Sequence, residues 1–432
     1  MNFLLVKYRL IRHLFATLLF FVSFGLHAQF RVEVTGIGKN QIPIGLNLFI
    51  GQAKSLPVIS DVVASDLDRS GQFKSNKSRE VITENDRPNL HSFKIQGIEA
   101  LVVGSITEIE AQRYKVSFRL WDVAKGEDLG AKSFYVSQSD LRLAAHVISD
   151  YIFEQLTGEK GSFATKVTFV TKFSSKYSLW ISDIDGENAK TALNSPEPII
   201  SPSWSHDGTR IAYVSFESRK PVVFVHNISE GTRKIVANFK GSNSAPAWSP
   251  DGKKLVVALA EKDLQQLYEI DLAGEKSKRL FESLGIDTEP TFSHDGQSIY
   301  FVSDRSGSPQ IYKGTISTQK TERITFNNNY NTSPSISPDG KLLAYISKLG
   351  EGYKLFVMNL VTGATSAITD TTSDEKPSFS PNGKLIIYST QENGKHVLIT
   401  TTVDGQYKSR LAAQIGDTRE PNWGPSQIDI SR

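Results

Sequence analysis

Carboxylates that return at a fixed spacing are the first groups in this chain that could do chemistry. Asp207, Asp251, Asp295 and Asp339 each precede a glycine and follow one another at steps of 44 residues, and Asn382 takes the next place. A repeated set of acids looks like a binding site, but asparagine carries no charge there. An Asx-type turn needs only the short polar side chain, which Asn supplies equally. We therefore interpret these residues as turn formers.

The histidines show no pattern of metal ligation. His206 and His294 share one position of the same repeat, where other copies carry a proline, which indicates a turn. The remaining histidines beyond residue 28 lack a spacing such as His-x-x-x-His, and we expect surface or packing roles for them: His91, His146, His226 and His396. No metal site is predicted. A cation in a central channel stays open, because no ligand set can be named.

Nucleophilic catalysis finds no support. Propellers of this repeat type also occur ahead of serine-peptidase domains, which need a Gly-x-Ser-x-Gly elbow with an acid and a histidine. The chain contains no such elbow and no cysteine. It also shows no phosphate-cradling loop and no base-reading motif. We expect a protein that is not an enzyme and that needs no cofactor.

Each Asp-Gly or Asn-Gly turn follows a segment of the type Pro-x-Trp-Ser, whose aromatic position is tryptophan or phenylalanine in most copies. The anchor prolines of these segments lie 43 or 44 residues apart: Pro202, Pro246, Pro290, Pro334, Pro377 and Pro421. A repeat of about 40–45 residues is typical of one four-stranded propeller blade. Asp-Gly between two apolar runs predicts a hairpin. Each repeat therefore reads as four strands, a to d, with the anchor in strand a.

The ends of the repeat array complete each other. Strands b to d begin near Val167, Arg210, Lys254, Ser298, Leu342 and Leu385. The first set lacks a strand a, and the last anchor, at Pro421 to Trp423, lacks strands b to d. We predict an all-β six-bladed propeller closed by the C-terminal strand, one strand from the C terminus joining three from the start. Radial closure leaves only short, protected sheet edges.

Residues 1–28 are predicted to be a secretory signal. Three basic residues precede the apolar run Leu14–Leu26, which is shorter than the ~20 residues a membrane span needs. Cleavage after Ala28 leaves 46 basic and 46 acidic residues, since the chain has 49 and 46 and the signal removes three basic ones. A net charge of zero gives no support to nucleic-acid or membrane-surface binding. We expect an exported protein without an integral membrane segment, monomeric on its own.

Residues 29–161 are predicted to form a mixed α/β domain, and residues 162–432 the propeller. Helices are expected over Ile59–Leu67, with Ser60 as N-cap and Gly71 beyond the end, and over Leu141–Leu156, capped by Asp140 and ended by Gly158. Strands are expected at Ala100–Ile106, Tyr114–Trp121 and Lys132–Val136. We expect a sheet that helices cover on one side. The domain should reach the propeller at the face of the Asp-Gly turns.

The opposite face carries the loops that connect one blade to the next. The residues just before each anchor proline should ring the mouth of the central channel, and binding sites often lie on loops held by a rigid scaffold. Either these are solvated loops or they form a rim that binds a partner. The rim residues that we select are Ser201, Ser242, Ala245, Thr288, Glu289, Ser333, Glu375, Lys376 and Arg419.

With these parts in place, the chain resembles the TolB family, the periplasmic propeller proteins of the Tol-Pal envelope system. The resemblance covers nearly all of the chain after residue 28. It rests on the Pro-x-Trp-Ser-x-Asp-Gly repeats, the junction Phe153 to Gly161, and the stretches Ile200–Ser205, Ala212–Ser218 and Thr288–Thr291.

The resemblance implies a periplasmic adaptor that supports outer-membrane integrity and cell division. It implies that Ser242, Ala245, Thr288 and Glu289, with other rim residues, bind the peptidoglycan-associated lipoprotein Pal. It also implies that the first residues after the signal bind TolA: Gln29, Phe30, Arg31, Val32, Glu33, Val34, Thr35 and Gly36. Other envelope proteins are further partners to consider. The alternative is a propeller sensor that binds a small ligand or a glycan in its channel.

Overall fold

The computed structural model describes residues 41–51, 58–78, 80–261, 264–274, 276–412 and 416–426. The predicted signal, residues 1–28, and the predicted TolA-binding residues, 29–36, lie outside them. Every described residue belongs to one compact unit, Glu33–Arg432. Within the described residues, no helix has the length and apolar character needed to cross a membrane.

The first part of the described chain is an α/β domain around one five-stranded sheet. Its strands are β1 (Ile42–Asn47), β2 (Phe73–Ser78), β3 (Ala100–Glu110), β4 (Arg113–Asp122) and β5 (Glu127–Ser137), and its helices are α1 (Ile59–Arg69), α2 (Leu90–Ile95) and α3 (Leu141–Thr157). The sheet order is β2-β1-β3-β4-β5. Strand β1 lies parallel to both neighbours, and β3, β4 and β5, which contain the three predicted strands, form an antiparallel meander.

Both faces of this sheet are covered, which corrects the expectation of cover on one side. Ala100 and Val102 belong to the core that contains the apolar residues of α1 and α3, whereas Leu101 and Val103 belong to a smaller core with Phe93 of α2. Successive strand residues point to opposite faces. The continuous apolar run in β3 therefore reflects burial on two sides.

The helix ends follow the prediction only in part. Helix α1 begins at Ile59 after Val58, so Ser60 is a buried residue inside the helix and not its N-cap. Packing of Ile59 into the core decides this start. Asp140 precedes α3 but makes no cap hydrogen bond, because its Oδ2 accepts from the Ser137 hydroxyl at 2.6 Å. Gly158 ends α3 in the left-handed region at φ 76°, as predicted.

The remaining strands form six four-stranded sheets within the described residues, which confirms the propeller. Blade 1 contains β6 (Thr165–Phe173), β7 (Lys176–Asp183), β8 (Lys190–Ser195) and the C-terminal β29 (Asp417–Ser426). Blades 2 to 6 each take four consecutive strands. Blade 2 has β9 (Ile199–Trp204), β10 (Arg210–Ser215), β11 (Val222–Asn227) and β12 (Thr232–Ala237); blade 3 has β13 (Asn243–Trp248), β14 (Lys254–Glu261), β15 (Leu264–Asp271) and β16 (Ser277–Arg279).

Blade 4 has β17 (Asp287–Phe292), β18 (Ser298–Ser303), β19 (Gln310–Thr315) and β20 (Thr321–Arg323). Blade 5 has β21 (Asn331–Ile336), β22 (Leu342–Leu349), β23 (Gly352–Asn359) and β24 (Thr365–Ala367). Blade 6 has β25 (Glu375–Phe379), β26 (Leu385–Glu392), β27 (Lys395–Thr402) and β28 (Lys408–Arg410). In every blade the anchor segment forms the innermost strand.

The Asp-Gly turns have the predicted Asx chemistry. Asp207 Oδ1 accepts from the Ser205 hydroxyl at 2.5 Å and from the Thr209 N–H at 3.0 Å. Asn382 Oδ1 makes the same two bonds, to Ser380 at 2.7 Å and to Lys384 N–H at 3.1 Å. The amide oxygen thus replaces the carboxylate without loss of geometry, which supports the interpretation of the repeated acids as turn formers.

The α/β domain contacts the propeller at the face that carries these turns, named the turn face below. Asn382 Nδ2 donates to the carbonyl oxygen of Lys160 at 3.0 Å, and Lys384 Nζ lies 2.7 Å from Glu159 Oε1. One apolar core continues from α1 and α3 into blades 1 and 6, where it includes Phe163, Leu398 and Trp423. The opposite face, with its inter-blade loops, stays clear of these contacts.

Trp423 closes the ring. Its side chain is 6% exposed, its indole N–H donates to Thr165 Oγ1 at 2.8 Å, and its backbone N–H donates to Ser378 Oγ at 2.9 Å. Trp423→Ala should destabilise the protein by about 3–5 kcal/mol, because it removes a large buried side chain from the closing strand. Urea unfolding measures the change.

Trp423→Phe keeps the ring but loses the indole N–H, and it should lose only about 1 kcal/mol. Val361→Ala is the matched control, since Val361 is 79% exposed in blade 5. If Trp423→Ala unfolded at the same urea concentration as this control, the C-terminal strand would not hold the ring.

Candidate functional site

The residue before each anchor proline has a left-handed backbone. Their φ values lie between 48° and 57°, although none is glycine: Ser201, Ala245, Glu289, Ser333, Lys376 and Glu420. At this point the pairing of the innermost strand with its neighbour shifts register in all six blades of the described chain. Such a conformation costs on the order of 1–3 kcal/mol for a non-glycine residue. We call these six residues the mouth ring.

The mouth ring lines one end of a central channel of about 410 Å³. The other end of the channel is lined by residues of the turn face, including His206, His294 and Pro338. Both histidines stand in the turns that follow their strands, as predicted. The channel therefore joins the loop face to the turn face through the centre of the propeller.

Three charged side chains of the mouth ring meet in the channel. Lys376 forms an ion pair with Glu289, whose Oε2 accepts from the Ser333 N–H at 2.7 Å. Glu420 Oε2 accepts from the Ser201 N–H at 3.2 Å. The two carboxylates thus satisfy backbone donors that the left-handed bends take out of the strand pairing, and one ammonium serves both acids.

The pKa values follow from this arrangement. Burial alone would raise the pKa of Glu289, but Lys376 and the Ser333 donors hold it below its usual value. Burial raises the pKa of Glu420, which Lys376 offsets only in part. Burial alone would lower the pKa of Lys376, but Glu289 and Glu420 raise it. Lys376 therefore stays protonated across the physiological range.

A second polar cluster lies outside the mouth, on the side of blades 6 and 1. Arg419 Nε lies 2.9 Å from Asp417 Oδ2, and His396 Nδ1 lies 3.0 Å from Asp417 Oδ1. Glu375 Oε1 lies 3.7 Å from both Arg419 and His396. Glu375, His396 and Arg419 line a cleft of about 540 Å³, together with Tyr353 and other residues of blade 5.

The structure brings most of the sequence-selected rim residues together at the channel mouth. Five of the nine belong to the mouth ring, namely Ser201, Ala245, Glu289, Ser333 and Lys376. Glu375 and Arg419 precede mouth-ring residues and line the adjoining cleft. Thr288 precedes Glu289, and Ser242 lies in the loop before β13; both are half-buried. Ala245 is only 9% exposed and packs into the core between blades 3 and 4.

Sequence reasoning missed the apolar side chains of the loops around the mouth. Phe239 is 41% exposed, Leu284 94%, Ile286 42% and Phe326 71%. They lie in the connections that lead into blades 3, 4 and 5, beside Ser242 and Thr288. The only signal in the sequence was an apolar residue between strand d and the next anchor proline. His396 and Asp417 were also missed, because their pairing joins residues 21 apart.

An α/β domain on one face of a six-bladed propeller, with a charged channel mouth and exposed apolar loops on the other, defines a scaffold for binding. The family model "TolB amino-terminal domain" matches residues 30–129, and "TolB beta propeller domain" matches residues 153–427. The chain belongs to the TolB family.

Other members of the family are similar to this chain over nearly its whole length. "Tol-Pal system protein TolB" of Albidiferax ferrireducens is 58% identical over 401 residues, 93% of this chain and 94% of that one. The protein of the same name from Polaromonas sp. is 56% identical over 93% and 94% of the two chains. The crystal structure of TolB from Acinetobacter baumannii superposes with a TM-score of 0.84 at 34% identity, covering 91% of this chain and all of that one.

Replacing Lys376 by methionine should raise the pKa of Glu420 further, because its nearest cation disappears. The same change should destabilise the fold by on the order of 1–3 kcal/mol, because it removes the ion pair between Lys376 and Glu289. The loss is smaller than for a fully buried pair, since both of these side chains are about a quarter exposed. Carboxyl ¹³C NMR on glutamate-labelled protein measures the titration, and thermal melting measures the stability.

Lys341→Met is the control, since Lys341 is 68% exposed beside Asp339 on the turn face. The pH dependence of Glu289 gives a second readout. The pKa of Glu289 is lowered in the folded protein, so its ionised form stabilises the fold at any pH above the ordinary glutamate pKa. This stabilisation is lost as the pH falls through the lowered pKa. An unchanged Glu420 titration in Lys376→Met would contradict the assigned role of Lys376.

Proposed function

We propose that this protein is a non-enzymatic periplasmic adaptor of the Tol-Pal system that supports outer-membrane integrity and cell division. It binds Pal through the rim of the channel mouth and TolA through residues 29–36. It acts as a monomer, without a cofactor, and it does not bind nucleic acid.

The loop face supports this proposal because it is free to bind a partner. Within the described residues, the α/β domain contacts the propeller only at the turn face. The loop face combines half-buried polar residues at the mouth with exposed apolar side chains around blades 3 to 5. Contiguous exposed apolar residues with a polar surround mark protein interaction surfaces. A partner that covers the mouth would bury Leu284 and Phe326 and meet the polar edge at Thr288.

The charged groups at the mouth favour binding over catalysis. A catalytic lysine needs a lowered pKa to become a nucleophile or a base, whereas Lys376 is held protonated by two carboxylates. Glu289 and Glu420 are engaged with Lys376 and with backbone N–H groups. These groups are therefore suited to fixing the shape and charge of a docking surface.

The TolA half of the proposal depends on the order of the chain. Residues 29–36 come shortly before β1, whose neighbours β2 and β3 occupy both of its edges. An extended segment ahead of such a strand can add to the sheet edge of a partner, where main-chain hydrogen bonds supply affinity. This mode needs no pocket on the propeller and leaves the rim available to Pal.

A sensor for a small ligand or a glycan is the second candidate, favoured by the channel of about 410 Å³ and the cleft of about 540 Å³. Both fall within the usual size range of ligand pockets. Calorimetric titration with peptidoglycan fragments, set against titration with Pal, separates the two functions. Binding of fragments without binding of Pal would establish the sensor.

Leu284→Ser and Phe326→Ser should each weaken Pal binding by on the order of 10-fold, because each removes a large exposed apolar side chain from the loop face. Surface plasmon resonance with soluble Pal measures the affinity. The melting temperature should not change, since both side chains are exposed in the free protein.

Val361→Ser is the matched control, because Val361 is 79% exposed but lies in the turn between β23 and β24 on the turn face. Thr288→Trp adds a steric test at the polar edge of the rim. Ala245 is less suitable for a bulky replacement, because its side chain packs in the core. Wild-type affinity in all three rim variants would refute the rim as the Pal site.

Deleting residues 29–40 should abolish measurable TolA binding and leave Pal affinity unchanged. Gln41 is kept, because its Nε2 donates to the Phe73 carbonyl oxygen at 2.9 Å beside the start of β1. Calorimetry against the soluble TolA domain measures the loss, and the Pal titration serves as the folding control. Unchanged TolA affinity would remove this half of the proposal.

A further inference from the structure

His146 of α3 lies at the contact between the α/β domain and blade 1. Its side chain is 1% exposed, and its Nδ1 lies 2.7 Å from Asp66 Oδ2 of α1. Its Nε2 lies 3.7 Å from Asp183 Oδ2, at the end of β7, and 4.0 Å from Asp185 Oδ2 in the following turn. The two ring nitrogens thus face carboxylates from two different parts of the fold.

The doubly protonated ring suits the carboxylates on both sides better than a neutral ring does. A neutral imidazole has one N–H and one lone pair, so one nitrogen would direct a lone pair at a carboxylate in a buried site. Asp66 also accepts from the Ser149 hydroxyl at 2.8 Å and pairs with Arg69 at 3.1 Å. His146 Nε2 has no hydrogen-bond partner within range, and the Asp183 and Asp185 carboxylates beside it favour a proton on this nitrogen.

The cations around the ring come closest to matching the acids in number when His146 is charged. Asp183 pairs with Lys166 of β6, Asp185 pairs with Arg142 of α3, and Asp66 pairs with Arg69 of α1. The fourth acid is Asp150, one helical turn beyond His146 on α3, which accepts N–H bonds from Phe163 and Ala164. Four acids then face four cations: Asp66, Asp150, Asp183 and Asp185 against Arg69, Arg142, Lys166 and His146. Glu187 stands at the edge of the group, half-buried.

A metal ion is the competing explanation, since His146, Asp183 and Asp185 form the one group of three clustered ligands among the described residues. Two of these ligands are already engaged. Lys166 bonds Asp183 Oδ1, and Arg142 bonds Asp185 Oδ2. A divalent ion would have to displace the guanidinium in a buried site. A proton on Nε2 meets the same carboxylates without such displacement.

We propose that protonated His146 is a buried clamp that fixes one orientation of the α/β domain on blade 1. The apolar core that spans the same contact holds the two parts together but is not directional. Hydrogen-bonded charges require a particular geometry, and buried polar groups can select one packing arrangement over others. The clamp does not depend on the identity of the partners proposed above.

The titration of the ring agrees with this role. Burial alone would lower the pKa of His146, but Asp66, Asp183 and Asp185 raise it to about 10. The folded-state pKa therefore exceeds the ordinary value of 6.5. The clamp therefore stabilises the fold fully when the pH is below the ordinary pKa of 6.5. This stabilisation is lost only as the pH rises through about 10. At neutral pH His146 is protonated and the clamp is intact.

Two measurements test the clamp. ¹⁵N NMR of the histidine rings should show both nitrogens of His146 protonated at pH 8, when an ordinary histidine is neutral. A neutral ring, or a shift of the Nε2 signal on addition of Zn²⁺, would overturn the proposal in favour of a packing residue or a metal site. This measurement uses the unaltered chain, so it does not depend on whether a variant folds.

The second measurement follows orientation. The chain has no cysteine, so spin labels at Ile95→Cys and Val361→Cys, both highly exposed, report one distance between the α/β domain and blade 5. His146→Leu should broaden or displace the distance distribution. His226→Leu is the control, because His226 is buried within blade 2 and its pKa is lowered by burial and by Arg233. Identical distributions in His146→Leu and the wild type would show that the apolar core alone sets the orientation.

Discussion

The structure depends on the joining of its two chain ends in blade 1. A propeller blade has exposed edges unless its neighbours form a closed ring, and here β29 pairs with β6 to complete that ring. The seam is held by side chains as well as strands. Asn422 Oδ1 accepts from the Trp204 N–H of blade 2 at 2.8 Å, and Ser378 of blade 6 accepts from Trp423. The anchor segments of blades 6, 1 and 2 therefore bond these blades to one another as well as lining the channel.

The same segments place six residues with a strained, left-handed backbone at the mouth. A proline cannot donate to the sheet, and the residue before it turns into the left-handed region, so the strand pairing opens at this point. The backbone N–H groups of Ser201 and Ser333 then lack an acceptor in the strand. The Glu420 carboxylate accepts from Ser201, and the Glu289 carboxylate accepts from Ser333. Function is commonly found where backbone strain collects. The polar character of the mouth thus follows from the geometry of ring closure.

The blades could be predicted from the sequence, whereas the contacts between residues far apart in the chain could not. The 44-residue step of the anchor prolines predicted the blade number, and the exchange of Asp for Asn382 correctly indicated a turn. Ser60 was misread as an N-cap, because tertiary packing of Ile59 decides where α1 begins. The exposure of Leu284 depends on the loop conformation, which periodicity does not specify. The partners of His146 lie 80 and 37 residues away, beyond any local pattern.

Blade 1 is built from both ends of the propeller sequence, and it contributes both to the channel mouth and to the contact with the α/β domain. Its innermost strand, β29, supplies Arg419 and Glu420 to the channel mouth. Two strands further out, β7 ends at Asp183, which faces His146 of the α/β domain. Hydrogen-bonded strands resist sliding past one another, since a slip of one residue would turn each side chain to the opposite face. Strands β29, β6 and β7 therefore link the channel mouth to the contact with the α/β domain through one hydrogen-bonded sheet.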